Sequence, residues 1–279
     1  MNILITGANG FIAKHLISQF EDHHKIFTIS RKIDQQNKLL TNYELDLSDI
    51  NLVKEYFKQE NRENHKIDVI IHTAAVLSGQ DNKNIKIFND NIGITESMIH
   101  VAKVFSASKF INFSTIGVYP NISGIYDEKS AVEPSVNFEC LYGLSKFCSE
   151  ELFKFYLKDT SNVVNVRLGQ VYGSGMRDDR IYSMMKAELQ KKNSITVFGQ
   201  GERISNFVSI NYLVDKIEEI VHHSNIEGTY NLGERNISYL ELAQMVITEY
   251  GDSSSEIILE EKGVTSKVII DSNKINSLG

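Results

Sequence analysis

Asn2-Ile-Leu-Ile-Thr-Gly7-Ala-Asn-Gly10-Phe-Ile-Ala13-Lys-His-Leu16 reads as a short apolar strand, a glycine turn and the start of a helix. Gly7 lets the backbone turn at positive φ, and Gly10 leaves room for close approach to the main chain. The first N–H groups of the following helix lack intrahelical partners and carry the positive end of its dipole, which makes an anion seat. Ala13 allows helix and strand to pack closely. The pattern G-x-x-G-x-x-A is a spacing variant of the dinucleotide fingerprint. By itself it also fits an ordinary strand-to-helix turn, so its meaning depends on the rest of the chain.

Outward from that stretch, strands and helices alternate. The spacing predicts a helix over Phe11 to Phe20, a strand over Lys25 to Ser30, and a short strand over Tyr43 to Asp49 running into a helix cap. A helical stripe follows over Leu52 to Phe57, then an apolar strand from Ile67 into Thr73, Ala74 and Ala75. A long helix is expected within Asn82 to Ser106, a strand over Lys109 to Thr115, a helix over Phe138 to Lys158, and a strand over Asn162 to Leu168. Such alternation implies a parallel sheet with helices on both faces, with ligands at the carboxyl ends of the strands. From Val171 the pattern changes to short strands (Ile195 to Phe198, Phe207 to Ile210, Thr229 to Leu232) and helices (Ile181 to Lys191, Tyr212 to His222, Tyr239 to Tyr250). These pieces are too small for an independent core. The division expected is 1–170 for a dinucleotide-binding domain and 171–279 for a small α+β substrate-binding lobe partly interleaved with it.

The 279 residues carry 29 basic and 36 acidic side chains, a formal charge of −7 that argues against general nucleic-acid binding. No apolar run approaches a membrane span of ~20 residues, and the first strand starts at Asn2 with no leader before it, so a cytoplasmic location is expected. Cys140 and Cys148 lie eight positions apart on one expected helix, about 12 Å, too far for a bridge. The eight histidines show no metal spacing, so no metal is expected.

Two features speak to chemistry. The second strand ends Ser30-Arg31-Lys32, where an acidic residue would take ribose hydroxyls in an NAD enzyme. A guanidinium there pairs with a 2′-phosphate, which favours NADP, with NAD as the alternative; Arg31 also reads as a surface charge or an adenine-stacking group. Asp46 can accept from the adenine amino group, and Ser48 or Asp49 reads as a helix cap. The second feature is Tyr142-Gly-Leu-Ser-Lys146, which puts a phenol and an ammonium on one helical face. The ammonium would favour phenolate and bring the phenol below its ordinary value near ~10, and the phenol can exchange a proton with a carbinol or carbonyl oxygen. Thr115, at the end of the fifth strand, can hold the same oxygen.

Taken in order, Gly7 to Ala13, His72-Thr-Ala-Ala75, Ser114-Thr115-Ile-Gly-Val-Tyr119, Tyr142 to Lys146, Arg167-Leu-Gly-Gln-Val-Tyr172-Gly173, Asn206-Phe-Val-Ser-Ile and Gly228-Thr-Tyr-Asn231-Leu-Gly233 resemble the extended short-chain dehydrogenases/reductases of the NAD-dependent epimerase/dehydratase family. The resemblance implies a Rossmann-type doubly wound sheet, a nucleotide-sugar substrate and a catalytic set of Thr115, Tyr142 and Lys146. It implies cofactor contacts at Gly7, Asn9, Gly10, Phe11, Ile12, Arg31, Asp46, Leu47, Thr73, Ala74, Ala75, Asn91, Tyr142 and Lys146. Substrate contacts fall on Thr115, Tyr142, Gln170 and Arg203. Relatives often dimerise through the two long helices, with Phe147 and Phe155 either on that face or in the core. The chain departs from the family pattern at positions that bear on the substrate and the reaction. Gln170 stands where Asn is common. Ser205 replaces a diphosphate-binding Arg, with Arg203 nearby. Ile116-Gly117 replaces the acidic pair of the 4,6-dehydratases. The expected reaction is reduction of a 4-keto sugar. A 4-epimerase with tightly bound NAD is the alternative, and a non-catalytic NADP sensor is the rival from another class.

Overall fold

The computed structural model describes residues 1–32, 41–59, 66–77, 84–134 and 139–278. In chain order the elements begin β1 (Asn2–Thr6), α1 (Phe11–Phe20), β2 (Lys25–Ser30), β3 (Thr41–Glu44), α2 (Ile50–Gln59), β4 (Val69–His72), α3 (Ile85–Phe105) and β5 (Lys109–Thr115). A 3-10 turn (Ile116–Val118) leads to β6 (Gly124–Tyr126), α4 (Cys140–Leu157), β7 (Asn162–Leu168) and β8 (Gln170–Tyr172). Then come α5 (Ile181–Lys192), β9 (Ser194–Phe198), β10 (Ile204–Ser209), α6 (Ile210–His222) and β11 (Gly228–Leu232). The chain closes with β12 (Arg235–Ser238), α7 (Tyr239–Tyr250), β13 (Glu256–Glu260), β14 (Val268–Ile270) and α8 (Asn273–Asn276).

Seven strands form one sheet in the order β11-β7-β5-β4-β1-β2-β3, and every pairing in it is parallel. The chain steps one way from β1 to β2 and the other way to β4, so the crevice opens at the carboxyl ends of β1 and β4. Alternation along the strands divides the core into two layers. Ile3, Ile5, Val69, Ile71 and Ile111 face α1 and α6. Leu4, Phe27, Ile29, Ile70 and Phe110 face α2, α3 and α4. Each fully buried side chain of this kind stabilises the fold by about 1.5–3 kcal/mol.

Residues beyond Val171 do not stand apart from this sheet. β11 is its edge strand beside β7, and α6 covers the α1 layer. A further core forms where Tyr182, Met185 and Leu189 of α5 meet Leu242, Ala243 and Val246 of α7 over β9 and β10.

Several boundaries differ from those expected. β3 stops at Glu44, so Asp46 lies in the following loop, where its carboxylate closes a turn on Ser48. α3 lies within the expected range, starting at Ile85 with the Asn84 side chain accepting from the Lys86 N–H. α4 starts at Cys140, and the expected start at Phe138 also lies outside them. The strands β6, β8, β12, β13 and β14 and the short helix α8 had no counterpart in the sequence reading. Their three to five residues give no periodicity to read, and their partners are remote, as with Val268 beside Gly124. Cys140 and Cys148 are free on α4. Among the described residues no helix is long and apolar enough to cross a membrane, and no group of three His, Cys, Asp or Glu could hold a metal ion.

Candidate functional site

A cleft of about 1360 Å³ runs along the carboxyl ends of the strands and is walled on its far side by β8, β10, α5 and the start of α7. That exceeds the roughly 300–1,000 Å³ typical of a pocket for one small ligand.

At one end lies the glycine turn. Gly7 has φ +70°, and a Cβ on it would stand 3.0 Å from Ala74 Cα; a Cβ on Gly10 would stand 3.1 Å from Gly7 O. The Gly7 N–H donates to Ile29 O (2.9 Å) and the Gly10 N–H to Gly7 O (2.7 Å), so hydrogen bonds shape the turn. No side chain caps α1 at Gly10. The N–H groups of its first turn therefore remain available at the cleft, as a pyrophosphate requires. Thr6 stitches β1 to β4: its Oγ1 meets His72 Nδ1 at 2.8 Å and accepts from the Ala74 N–H at 3.2 Å, while Thr73 Oγ1 donates to Thr6 O at 2.6 Å. Burial, and secondarily the Lys146 charge, push His72 well below the usual imidazole value. The ring is thus a neutral hydrogen-bonding partner.

Of the expected cofactor residues, Gly7, Asn9, Gly10, Phe11, Ile12, Arg31, Asp46, Leu47, Thr73, Ala74 and Ala75 all line the cleft. Asn9 donates to Lys32 O (2.9 Å), which ties the turn to the end of β2 beside Arg31. Burial tends to raise Asp46, but the Ser48 N–H and hydroxyl, with Arg31 and Lys86 at longer range, hold it below the usual carboxylate value. Asn91 is elsewhere. Its amide accepts from the Val76 N–H (2.8 Å) and donates to Val76 O (2.9 Å), so it shapes the loop after β4 from behind and does not line the cleft.

At the centre, Thr115 ends β5 and caps the 3-10 turn, its Oγ1 accepting from the Gly117 N–H at 3.0 Å. That leaves its own proton to donate. Tyr142, in the first turn of α4, lines the same wall. Lys146 lies one turn further on, 3% exposed and behind the cleft lining. The expected influence of Lys146 on the phenol is not found. Burial and then Glu139 push Tyr142 above the ordinary phenol value, opposed by Arg180, while burial brings Lys146 down to about 8 against the pull of Glu150. With the groups the chain itself supplies, the lysine loses its proton before the phenol does. Tyr142 therefore keeps its proton at neutral pH.

At the far end, Gln170 donates through Nε2 to Ser205 Oγ (2.8 Å), and the Arg203 guanidinium sits 5.0 Å from the centre of the Tyr239 ring. Arg177 is paired with Asp179, and Arg180 with Glu139 at 3.4 Å. Among the described residues, neither Arg31 nor Arg203 makes an ion pair with a carboxylate. Both line the cleft, one toward each end.

The sequence reading missed residues that build this geometry. Gly143 lets α4 approach the turn: a Cβ there would stand 2.3 Å from Gly117 O. Glu139 stands beside Tyr142, and Glu150 forms a buried pair with Arg167 (2.7 Å) behind it. A signal for Glu150 was present, since Gly143, Lys146, Glu150, Phe153 and Leu157 share helical spacing and all are buried. A carboxylate on such a stripe must find a buried partner.

The sequence model described as "NAD dependent epimerase/dehydratase family" matches residues 3–233. The chain is 27% identical over 270 residues to a dTDP-D-glucose 4,6-dehydratase of Dictyostelium discoideum, covering 88% of this chain and 61% of that protein. Among solved structures it is similar to a UDP-glucose 4-epimerase of Thermotoga maritima (TM-score 0.81, 21% identity, 99% of this chain and 92% of that one). It is likewise similar to a UDP-glucuronic acid 4-epimerase of Bacillus cereus in complex with UDP-glucuronic acid and NAD (TM-score 0.79, 24% identity, 100% and 92%). At these identities the two structures bear on the fold, which they share with this chain.

Proposed function

The chain belongs to the NAD dependent epimerase/dehydratase family, and from that premise we propose that it is an NAD(P)-dependent oxidoreductase acting on a nucleotide-activated sugar, with reduction of a 4-keto group as its net reaction. The observation that carries the reading is the shared cleft. Thr115 and Tyr142 face the same space as the glycine turn at one end and the Arg203–Tyr239 pair at the other. In this reading residues 1–170 carry the cofactor and 171–279 contribute the sugar side.

The uncapped start of α1 and the glycine turn fit a pyrophosphate, and Thr73, Ala74 and Ala75 leave space for the nucleotide. The chemistry the cofactor supplies when bound is hydride donation. Thr115 donates its hydroxyl proton to the sugar carbonyl oxygen and holds it near Tyr142. Tyr142, raised above the ordinary phenol value, keeps its proton at neutral pH and gives it to the oxygen as charge develops there. Lys146 braces the same helical face from behind the cleft lining and is the group that would hold the ribose of the cofactor. Arg203, stacked on Tyr239, receives the diphosphate in place of the absent arginine at Ser205. Ile116 and Gly117 offer no acid–base pair for elimination of water, which counts against a dehydratase.

Arg31 supports NADP, because it lines the cleft at the end of β2, where Asn9 of the glycine turn donates to Lys32 O. A second reading is a 4-epimerase that retains NAD: the UDP-glucuronic acid 4-epimerase of Bacillus cereus, whose fold the chain shares, was solved with NAD, and the same residues of this chain would serve. The test is absorbance of NADPH and NADH in the presence of 4-keto nucleotide sugars. Stoichiometric NADPH oxidation supports the reductase; interconversion of 4-epimers with no net oxidation transfers the assignment to the epimerase. Tyr142→Phe should lower turnover by roughly 10²–10⁴-fold and spare cofactor binding, whereas a sensor would be indifferent to it. Arg31→Ala should remove the preference for NADPH.

The proposal includes a homodimer, in a cytoplasmic setting that the two free thiols suit. Leu144 (40% exposed) and Phe155 (67% exposed) share the outer face of α4, while Phe147 packs inward beside Val118 and Tyr119. Sedimentation of Phe155→Glu as a monomer, against a dimeric parent, checks it.

A further inference from the structure

Glu150 is fully buried, yet directly and through Arg167 it ties together separate parts of the site. Its Oε1 accepts from Ser114 Oγ at 2.5 Å, and its two oxygens accept from Arg167 Nε (3.0 and 3.3 Å) and Nη2 (2.7 Å). Arg167 Nη1 donates onward to Tyr119 Oη at 2.8 Å. Ser114 precedes Thr115, and Tyr119 follows the 3-10 turn that Thr115 caps. The turn is therefore gripped at both ends by one ion pair, and Glu150 of that pair rides on the helix that carries Tyr142 and Lys146. Replacing a buried pair by apolar residues is often neutral or stabilising, so stability alone is a poor reason for this arrangement.

We propose that Glu150, with Arg167, is a positioning residue that fixes the helix bearing Tyr142 and Lys146 against the strand end bearing Thr115. The proposal rests on the reading of these three groups as the reactive set. Glu150 also lies one helical turn beyond Lys146, and its charge favours the ammonium against the burial that lowers it. The titratable groups that act on Lys146 are Glu150 on its own helix and His72 from β4, which is neutral. Glu150 is thus the anion that supports the ammonium.

The test uses three variants of the full chain. Glu150→Gln removes the charge, the double variant Glu150→Met with Arg167→Met removes the pair without stranding either partner, and Ser114→Ala loosens one grip and buries no charge. Turnover is measured across pH, cofactor affinity by fluorescence, and the Lys146 titration by NMR of ¹³C-labelled lysine, assigned with Lys146→Arg. Expected are a loss in turnover of about 10²-fold for the double variant and about 10-fold for Ser114→Ala, with cofactor affinity within about 2-fold. The Lys146 midpoint should fall in Glu150→Gln and in the double variant. Folded Ser114→Ala with parental turnover, or an unmoved Lys146 midpoint in whichever charge variant folds, overturns the proposal. The lysine titration requires no substrate. A parent inactive on every 4-keto nucleotide sugar, with the midpoint moving as expected, would sink the functional reading and leave the positioning role standing.

Discussion

Gly143→Ala probes the packing that brings the phenol to the threonine. A Cβ at this position would stand 2.3 Å from Gly117 O and 3.1 Å from both Gly117 C and Pro134 Cβ. The main obstacle is backbone, so no side-chain rotation relieves it. Restoring ordinary contact near 3.4 Å to the carbonyl oxygen requires a shift of about 1 Å between α4 and the turn. Thr115 caps that turn and Tyr142 precedes Gly143, so the displacement falls on the distance between the two reactive groups. Overpacking costs roughly 1–3 kcal/mol, and the helical preference of Ala over Gly returns about 1 kcal/mol. The net destabilisation is therefore about 0–2 kcal/mol, at most several degrees in Tm for a chain of this size. A misplacement of about 1 Å costs on the order of 10²-fold in rate. Steady-state turnover should fall by that factor, while cofactor affinity, which depends on the distant Gly7–Gly10 turn, stays near the parent value. A folded variant with parental kcat would refute the reasoning, and so would a variant that loses cofactor affinity in step with kcat.

Asn91→Ala strands the N–H and C=O of Val76, so it should cost about 1–3 kcal/mol and weaken cofactor binding through the displaced loop, as read by thermal melting and fluorescence titration. Lys109 of β5, brought down to about 8 by burial, donates from Nζ to Ile220 O (2.6 Å), Val221 O (2.9 Å) and His223 O (2.6 Å), which closes the end of α6. Lys109→Met should therefore cost about 1–3 kcal/mol in urea unfolding, with parental stability counting against that capping role. Lys146, lowered to about 8 in the fold against about 10.4 unfolded, binds fewer protons folded than unfolded between those values, so its burial penalty is full below pH 8 and is relieved as pH rises. Lys146→Met should therefore exceed the parent in stability at pH 7, and that advantage should shrink by pH 10; the parent's turnover should decline above pH 8.

What was legible in the sequence was what neighbouring residues decide. Gly7 and Gly10 announce a turn because few other residues can stand there, and the near-continuous apolar runs of β4 and β5 announce buried parallel strands. The four-residue spacing of Tyr142 and Lys146 puts them one turn apart on α4. What could not be read depends on partners far along the chain. Asn91 carries no mark saying that its amide will clasp Val76. Arg167 lies in an apolar strand, and nothing local says that its carboxylate arrives from Glu150. The relation of the two reactive groups failed for a similar reason: spacing predicts that Lys146 accompanies Tyr142, but burial, which sequence does not give, reverses the order in which they titrate.

Along its inner face α4 changes character from one end to the other, and the change explains why one helix holds both the chemistry and the clamp. Gly143 rests on the turn after β5, Lys146 faces His72 at the end of β4, and Glu150 meets Arg167 near the end of β7. One turn further, Phe153 packs on Phe110 with ring centres 4.6 Å apart, near the start of β5, and Leu157 completes the same buried layer. The helix runs antiparallel to the strands, so its N-terminal turns lie where the sheet must present polar groups and its C-terminal turns lie where the sheet must be dry. A polar substitution at Phe153 and an apolar one at Lys146 therefore fail differently: the first opens the core, and the second leaves a better-packed protein without its reactive charge. Distance along this single face, counted in turns, sets whether a residue belongs to the site or to the core.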